Sequence, residues 1–382
     1  MLTKLSLQNF KSFMEKSELD FNATGYEILN DTNKADNNIL KGALIVGGNA
    51  TGKSTILQAI RFLLEFLVWP NDVILGKYVC FFKESNQQAK LEYEFLINKS
   101  IINFILEFNE KEILRENLLI NNKNVLDRLK TNAIYTDGKD KRIEVNNLQA
   151  NQSAIRKIYF DTRFIDNETL KKWYEFLENS VYIDQELKMI YKVANSFSRG
   201  IYQDYFENKG TDEFNKLLED IGCNQYVKYT NEYTNGKVSF KTPDNSKEAF
   251  LIRKNMEFGM PLGSESVGNK VLVNNLPAII EAMQKNAMII IDEFSSGLHN
   301  ILEEKIIKYF MQHSKDAQLF IVSHSTNLLT NTLLRPDQIY TVDFIDGKGS
   351  KINRVSDEKP REAQNLEKMY LSGVFNGIPN NE

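Results

Sequence analysis

The sequence predicts an α/β fold built on a parallel sheet, with further strands outside that sheet. A glycine-rich loop at residues 47–54 lies between an apolar, strand-like run at 43–46 and a helix-like run. From residue 264 onward, strand and helix patterns alternate, which is typical of a parallel sheet. Apolar and polar residues alternate over residues 1–13 and 89–107, and this alternation predicts half-buried strands.

The other elements predicted before residue 150 follow from local patterns. Residues 22–40 are rich in Asn, Asp and Thr and predict a loop. Residues 109–150 are polar and mixed, with a turn at Asp137-Gly138. The helix after the glycine-rich loop ends before Pro70. Its apolar face consists of Ile56, Leu57, Ile60, Leu63, Leu64 and Leu67.

The middle of the chain changes character twice. Residues 151–222 show a helical pattern, and strand character returns at 226–258 around an Asn235-Gly236 turn that suits a hairpin. One helical stripe comprises Leu187, Ile190, Tyr191, Ala194 and Phe197. We therefore predict one domain split by an insertion. Its parts are an N-terminal part at 1–150, a helical insertion at 151–224 and a C-terminal part at 225–382.

The composition disfavours several classes of protein. The net charge is −4 and the sequence pI is about 5.7, so any contact with nucleic acid would be a local patch. Two cysteines and three histidines are too few for a disulfide framework or a dedicated zinc site. The start of the chain lacks the layout of a signal peptide, and no apolar run reaches the length of a membrane span. We expect a soluble cytoplasmic protein with no membrane partner.

Residues 47–54 fit the phosphate-loop pattern G-x-x-x-x-G-K-[ST] at every fixed position. A strand that enters a glycine-rich turn and opens a helix directs backbone N–H groups and the helix dipole at one anion. Lys53 adds a positive charge for the β- and γ-phosphates, and the Ser54 hydroxyl is suited to ligate Mg²⁺. A glycine-rich turn without a ligand is the alternative. The candidate ATP-binding residues are Gly47, Gly48, Asn49, Ala50, Thr51, Gly52, Lys53, Ser54 and Thr55.

Two later strands also end in residues that suit phosphate chemistry. The apolar run 288–291 ends in Asp292, suited to hold Mg²⁺ through water, and Glu293, suited to polarise the attacking water. The run 319–322 ends near His324, one strand–helix–strand unit further on, where it could hydrogen-bond a γ-phosphate. Because ligands bind at the carboxyl ends of parallel strands, these residues are expected at the edge that carries the phosphate loop. A solvated acidic loop and a structural histidine are the alternatives.

Residues 264–270 contain a Ser-x-Gly turn, Ser266 to Gly268, at the start of a predicted helix. Such a helix start offers a second set of N–H groups to an anion. The alternative is an ordinary helix cap, because serine is a common capping residue.

Together and in this order, these motifs resemble the ATP-binding-cassette (ABC) ATPases of the SMC, Rad50, RecF and OLD kind. Residues 5–13 resemble their first strand and the loop near adenine, 47–54 the Walker A motif with Asn49 of this branch, and 264–270 the signature motif. Residues 289–293 resemble the Walker B motif, 295–299 the D-loop, and His324 the switch histidine. The Q-loop glutamine is assigned only as Gln87 or Gln88.

The resemblance implies an ABC ATPase head, a P-loop NTPase with a parallel sheet and an antiparallel β lobe, here with a helical insertion. It implies hydrolysis of ATP with Mg²⁺ by a head-to-tail homodimer that traps two ATP molecules. Each site would use Lys53, Ser54, Asp292, Glu293 and His324 of one chain with Ser266 and Gly268 of the other, and the D-loop residues would include Ser296 and His299. An ATP-bound closed dimer would open on hydrolysis.

The last third of the chain narrows the resemblance. Residues 334–340, 365–373 and 377–380 resemble the ends of AbiLi/RloA-type ATPases, which are prokaryotic anti-phage abortive-infection proteins encoded beside a separate nuclease or toxin. The alternative for this tail is a helix with an ordered terminus. The resemblance thus implies an effector partner, and an assembly larger than a dimer stays open.

Other functions remain as competing hypotheses. A RecF-like DNA-repair ATPase is the main one, while an OLD-type nuclease and a transporter motor fit less well. For nucleic acid, the chain offers only a basic turn with Lys139, Lys141 and Arg142, and the pair Lys171-Lys172 in the insertion. Clusters of this size are usually solvated surface, so nucleic acid is not indicated as a partner.

Overall fold

The computed structural model describes residues 1–69, 73–82, 87–136, 142–192, 201–234, 239–242, 244–254 and 258–378. Several sequence predictions lie outside these residues: the helix end at Pro70, the turns at Asp137-Gly138 and Asn235-Gly236, the basic residues Lys139 and Lys141, the stripe residues Ala194 and Phe197, and Pro379-Asn380.

Twenty strands form within the described residues. They are β1 Leu2–Gln8, β2 Ser17–Asp20, β3 Gly42–Gly47, β4 Ala89–Ile97, β5 Ser100–Phe108, β6 Ile113–Ile120, β7 Lys123–Leu129, β8 Asn132–Thr136, β9 Arg142–Val145, β10 Val181–Asp184, β11 Met189–Tyr191, β12 Gln225–Thr230, β13 Glu232–Thr234, β14 Ser239–Lys241, β15 Glu248–Arg253, β16 Phe258–Pro261, β17 Met288–Asp292, β18 Gln318–Val322, β19 Ile339–Ile345 and β20 Gly349–Arg354.

Nine α-helices form in the same part of the chain. They are α1 Asn30–Asn33, α2 Lys53–Leu67, α3 Ala154–Thr162, α4 Glu168–Glu178, α5 Ile201–Lys209, α6 Asp212–Asp220, α7 Val267–Gln284, α8 Asn300–His313 and α9 Leu366–Leu371.

The predicted parallel sheet is confirmed. Its strand order is β11-β10-β17-β18-β3-β19-β20, and the five strands from β10 to β19 run parallel. All five residues of β17 are buried, as expected for a strand covered on both faces. The predicted strand–helix alternation holds from α7 to β18. It then gives way to short 3₁₀ turns and to the antiparallel hairpin of β19 and β20.

A second, antiparallel sheet forms the predicted β lobe. Its order is β2-β1-β4-β5-β6-β7-β8-β9, and β4 and β5 confirm the strands predicted over residues 89–107. The segment 109–150, which the sequence analysis described only as polar and mixed, contributes β6 to β9. Polar residues on one face hid these strands, because an antiparallel sheet can leave that face in water.

The central sheet separates two hydrophobic cores. One face of the strands, including Ile45 and Ile290, packs in the core that contains α2 and the antiparallel sheet. The other face, including Val46 and Ile291, packs in the core that contains α7 and α8. Side chains alternate between the two cores along each strand because successive residues of a strand point to opposite faces.

The helical insertion predicted at 151–224 requires a correction. This segment contains helices α3, α4, α5 and α6. It also contains β10, which pairs in parallel with β17 in the seven-stranded sheet. The predicted helical stripe is wrong in its described part, since Ile190 and Tyr191 belong to β11. Periodicity alone cannot decide whether a short apolar run forms a helix or a strand. Here pairing with the neighbouring strand decided in favour of a strand. The domain boundaries themselves stay a prediction.

Strand character predicted at 226–258 is confirmed. Strands β12, β15 and β16 form a three-stranded sheet, and β13 pairs with β14 in a hairpin. The last strand of this small sheet runs into the start of α7. Among the described residues, no helix is both long and apolar enough to cross a bilayer.

Candidate nucleotide site

The phosphate loop joins β3 to α2 at the centre of the parallel sheet. Its backbone takes left-handed conformations at Ala50 (φ 59°) and Gly52 (φ 104°). A Cβ at Gly52 would lie 2.4 Å from the Ser350 hydroxyl and 2.7 Å from the Ser12 hydroxyl, so only glycine fits there. Gly52 is the N-cap of α2 and supplies no side-chain cap, which leaves the first N–H groups of a 15-residue helix directed at the loop.

Lys53 is the first residue of α2 and is buried beneath the loop. Its Nζ donates to the carbonyl oxygen of Gly48 over 2.6 Å, and the Thr51 hydroxyl donates to the same oxygen over 3.0 Å. Burial lowers the pKa of Lys53, while the nearby Glu293 and Asp292 oppose that shift. The ammonium is therefore held close to the site by a neutral carbonyl rather than by an ion pair.

Ser54 and Asp292 meet at the edge of the sheet, as predicted. The Ser54 hydroxyl donates to Asp292 Oδ1 over 2.9 Å, and the Tyr182 hydroxyl donates to Asp292 Oδ2 over 3.3 Å. Burial raises the pKa of Asp292, the charges of Glu293 and Asp184 raise it further, and the Ser54 hydrogen bond opposes them.

The paired oxygens of Ser54 and Asp292 fit Mg²⁺. Mg²⁺ favours oxygen ligands and is usually held by one or two carboxylates together with substrate phosphates and water. No group of three or more His, Cys, Asp or Glu side chains suited to a metal exists in the described part of the chain. The protein therefore offers part of a coordination shell that phosphate oxygens could complete.

Glu293 and His324 lie side by side at the same edge. His324 Nε2 is 3.4 Å from Glu293 Oε1, and both side chains are partly exposed. The backbone of Glu293 is left-handed (φ 56°), a conformation rare for glutamate, and the next residue, Phe294, donates its N–H to Val322. This turn directs the carboxylate away from the buried strand and towards the histidine.

Ser266 and Gly268 lie at the start of α7, where they contact the helix and the D-loop. Ser266 is exposed and caps α7, since its hydroxyl accepts from the Asn269 N–H over 3.3 Å. A Cβ at Gly268 would lie 2.9 Å from the carbonyl oxygen of Gly297 in the D-loop. His299 caps α8 by accepting from Ile301, and Ser296 is exposed beside it. The capping interpretation is thus correct for Ser266, and the residue is exposed.

Two further residues, on β10 and directly after it, belong to the site and were not predicted from the sequence. Tyr182 contacts Asp292, and Gln185 directly follows the carboxyl end of β10, where its N–H donates to the Asp292 carbonyl over 3.3 Å. Gln87 and Gln88 instead precede β4 of the antiparallel sheet. They do not follow a strand of the parallel sheet, so Gln185 has the better position for a Q-loop glutamine. An apolar strand ending in an acid, Val181–Asp184, was the signal that could have found it.

The fold and the site together define a P-loop ATPase of the ABC type. A phosphate loop, a serine–aspartate pair and a glutamate–histidine pair meet at one edge of a parallel sheet flanked by an antiparallel lobe. The chain belongs to the family described as "AAA domain, putative AbiEii toxin, Type IV TA system", whose model matches residues 43–330. No curated protein sequence matches it.

Solved structures show the same fold. The SMC head domain from Thermotoga maritima is 19% identical with a TM-score of 0.50, over 92% of this chain and 97% of that chain. An SmcHead bound to the C-winged helix domain of ScpA is 15% identical with a TM-score of 0.52, over 92% and 96%. An Smc head with an extended coiled coil, bound to the C-terminal domain of ScpA derived from Pyrococcus furiosus, is 14% identical with a TM-score of 0.51, over 98% and 99%. The predicted fold class, an ABC ATPase head, is confirmed.

Proposed function

We propose that this protein binds and hydrolyses ATP, dimerises around it, and acts as a nucleotide-gated sensor that controls a separately encoded nuclease or toxin in anti-phage defence. The observation that carries the ATPase part is the convergence of Lys53, Ser54, Asp292, Glu293 and His324 at one edge of the sheet. These residues come from three separate strand ends, and a purely structural role does not require them to meet.

The residues divide the chemistry among them. Lys53 leaves the Gly48 carbonyl and binds the β- and γ-phosphates, beside the free N–H groups of α2. Glu293 accepts a proton from the attacking water, and His324 donates a hydrogen bond to the γ-phosphate. Gln185 orients that water from the end of β10. Ser54 and Asp292 would hold Mg²⁺, which would neutralise charge on the phosphates.

The exposed start of α7 supports dimerisation. Ser266 is exposed, and the apolar side chains of Val267 beside it and of Ile301 at the start of α8 are 61% and 57% exposed, which is high for apolar side chains. A second copy arranged head to tail would bring this helix start to the γ-phosphate and bury those apolar groups. ATP contacts then exist only in the closed dimer, so nucleotide shifts the population between two arrangements.

The defence role and the effector rest on the family. The family is described as a putative AbiEii toxin of a type IV toxin–antitoxin system, which supports a role in such a two-component system. Two of the similar SMC heads were solved bound to a domain of another protein, ScpA. These complexes support an ATPase head that acts through a separate partner.

Light scattering of the Glu293→Gln protein tests the shared site. This variant keeps the ATP contacts but loses the base, so we expect a dimer with saturating Mg-ATP and a monomer without it. The double variant Lys53→Ala/Glu293→Gln is the matched control and should stay monomeric. A Glu293→Gln protein that stays monomeric with Mg-ATP would show the shared-site model to be wrong.

Phage challenge tests the defence role. Cells that carry the gene with its flanking genes should survive infection as a population, whereas Lys53→Ala cells should not. Purified protein should show ATP hydrolysis that duplex DNA leaves unchanged. Strong stimulation by DNA, with no protection from phage, would favour the RecF-like hypothesis instead.

A further inference from the structure

Residues 366–378, which we call the strap, run from α9 across the edge of the parallel sheet to the phosphate loop. The Gly48 N–H donates to the carbonyl oxygen of Gly377 over 2.8 Å. Gly48 is also the residue whose own carbonyl accepts from Lys53. One residue of the phosphate loop thus links the strap on one side to the phosphate-binding lysine on the other.

Gly377 is held from several directions. Its N–H donates to Asp343 Oδ1, and its carbonyl also accepts from the Tyr370 hydroxyl over 3.1 Å. Its φ is +81°, and a Cβ there would lie 3.0 Å from the Cβ of Thr341. Both the left-handed backbone and the close approach to Thr341 favour glycine at this position. The contact with the phosphate loop therefore depends on the residue type at 377.

The strap is anchored in the core beneath it. Leu366, Tyr370 and Phe375 are buried in the core that contains α7 and α8. The Thr341 hydroxyl on β19 donates to the Phe375 carbonyl over 2.5 Å. The strap is therefore fixed to the core, and it can hold the loops that it contacts at the edge of the sheet.

The other end of the strap reaches the loop of the switch histidine. Glu367 on α9 accepts from the Thr326 hydroxyl over 2.7 Å, and Thr326 lies two residues after His324. The strap therefore contacts the two loops that flank the position of the γ-phosphate. A movement of the phosphate loop or of the loop after β18 can therefore affect the other loop through the packed residues of the strap.

We propose that the strap is a positioning element of the nucleotide site, which fixes the phosphate loop through Gly377 and the switch loop through Glu367. This inference rests on the proposed ATPase function. Because coupling between two binding events is reciprocal, nucleotide binding also tightens the docking of the strap.

Paired glycine variants test the contact with the phosphate loop. Gly377→Ala and Gly210→Ala both place a Cβ at a left-handed position (φ 81° and 75°), but Gly210 lies after α5, outside the strap, and a Cβ there meets nothing within 4 Å. Titration calorimetry with Mg-ATP should show affinity at least about tenfold weaker for Gly377→Ala, about 1.4 kcal/mol, and near wild type for Gly210→Ala. Equal affinity in the two variants would overturn the proposal.

Thr326 variants test the other end by a different readout. Thr326→Val removes the hydroxyl that donates a hydrogen bond to Glu367, and Thr326→Ser keeps that hydroxyl. We expect Thr326→Val to lower kcat several-fold with KM nearly unchanged, and Thr326→Ser to restore kcat. Parallel losses of kcat and thermal stability, unrestored by serine, would indicate a merely structural contact and contradict a positioning role.

Hydrogen exchange separates failure of this inference from failure of the ATPase assignment. Without any nucleotide, Gly377→Ala should speed exchange of the amides at 47–52, while Gly210→Ala should not. If wild-type protein bound no ATP but this exchange difference appeared, the ATPase proposal would fail and the strap contact would stand. With no difference in exchange, the strap would not position the phosphate loop.

Discussion

The Ser54 hydroxyl donates a hydrogen bond to Asp292 over 2.9 Å, although the two residues are 238 positions apart in the chain. Ser54 is on the first turn of α2, and Asp292 is the last residue of β17. Their strands of origin, β3 and β17, are separated in the sheet only by β18. This geometry sets the first prediction.

Asp292→Asn should abolish Mg²⁺-dependent ATP binding while it stabilises the free protein. Burial raises the pKa of Asp292 in the folded protein above its value in the unfolded chain. The folded protein therefore loses stability as pH rises from the unfolded pKa to the folded pKa, because the buried carboxyl group ionises. This loss persists at pH 7. Removing the buried charge should therefore raise the free energy of unfolding. Thermal unfolding and ATP titration, each with and without Mg²⁺, measure both effects. A destabilised Asp292→Asn protein would contradict this account.

Glu293→Gln should slow hydrolysis by roughly 10²- to 10⁴-fold, the usual loss on removing a general base, with ATP affinity retained. Glu304→Gln is the control, because Glu304 is a nearby carboxylate on α8 that accepts from Asn327 over 2.7 Å. Phosphate release under single-turnover conditions is the measurement. Similar rates for the two variants would remove Glu293 from the role of base.

Ser266→Asp and Ser266→Asn should separate capping from phosphate contact. Both side chains cap helices as well as serine does, so the stability of α7 should change little. Aspartate places a negative charge against the partner's γ-phosphate, whereas asparagine does not. In the Glu293→Gln background, we expect Ser266→Asp to prevent the ATP-dependent dimer and Ser266→Asn to retain it more fully, as measured by light scattering. Equal dimerisation would place Ser266 away from the phosphate.

Gln185→Ala should lower ATP turnover at least about tenfold, or 1.4 kcal/mol of activation free energy. Gln185 follows β10, and its backbone N–H donates to the Asp292 carbonyl, so it lies at the strand edge where the proposed mechanism puts the phosphates. Gln88→Ala, just before β4, is the control, with an expected rate near wild type. A loss confined to Gln88→Ala would restore the assignment made from sequence.

Asp337→Asn should destabilise the protein by about 3–5 kcal/mol, the range for breaking one partner of a buried ion pair. Asp337 and Arg335 are fully buried, with Arg335 Nε 2.9 Å from Asp337 Oδ1, and Arg335 also donates to Ile28 and Asn30. Burial alone would raise the pKa of Asp337, but the hydrogen bonds from Arg335 and Thr24 outweigh it and the pKa is lowered.

This lowered pKa predicts a pH dependence with a definite sign. A depressed folded pKa gives stability that is present above the unfolded value, near 3.9, and is lost as pH falls through the lower folded value. Chemical unfolding of wild type should therefore show a loss of stability below about pH 4 that is smaller in Asp337→Asn. Identical pH profiles for wild type and Asp337→Asn would mean that the Arg335–Asp337 pair does not cause the loss of stability at low pH.

The tail pattern at 334–340, on which part of the AbiLi/RloA resemblance rests, thus has a structural explanation. Arg335 and Asp337 bind the loop that contains Thr24 and Asn30 to the start of β19. The resemblance to AbiLi/RloA proteins itself stays a prediction. The pattern at 365–373 and Gly377 has a different role, as the strap beside the phosphate loop.

Local chemistry made much of the site predictable. The phosphate loop, the acidic end of β17 and the histidine after β18 each carry a pattern within a few residues, because a strand end and a helix start present backbone and side chains in a fixed local order. The alternation of strands and helices then predicts that all of them lie at one edge of a parallel sheet. Lys53, Ser54, Asp292, Glu293 and His324 could be named on that basis.

Tertiary structure alone decided which strand lies beside which and what covers each loop. β10 lies next to β17 only because it pairs with a strand distant in sequence, so the short pattern Val181–Asp184 could indicate a strand end but not its position beside Asp292. The bond between Gly48 and Gly377 likewise joins opposite ends of the chain. The sequence determined which side chains can act on a phosphate, because that depends on short patterns; the fold determined their neighbours, because those contacts form only when distant segments pack.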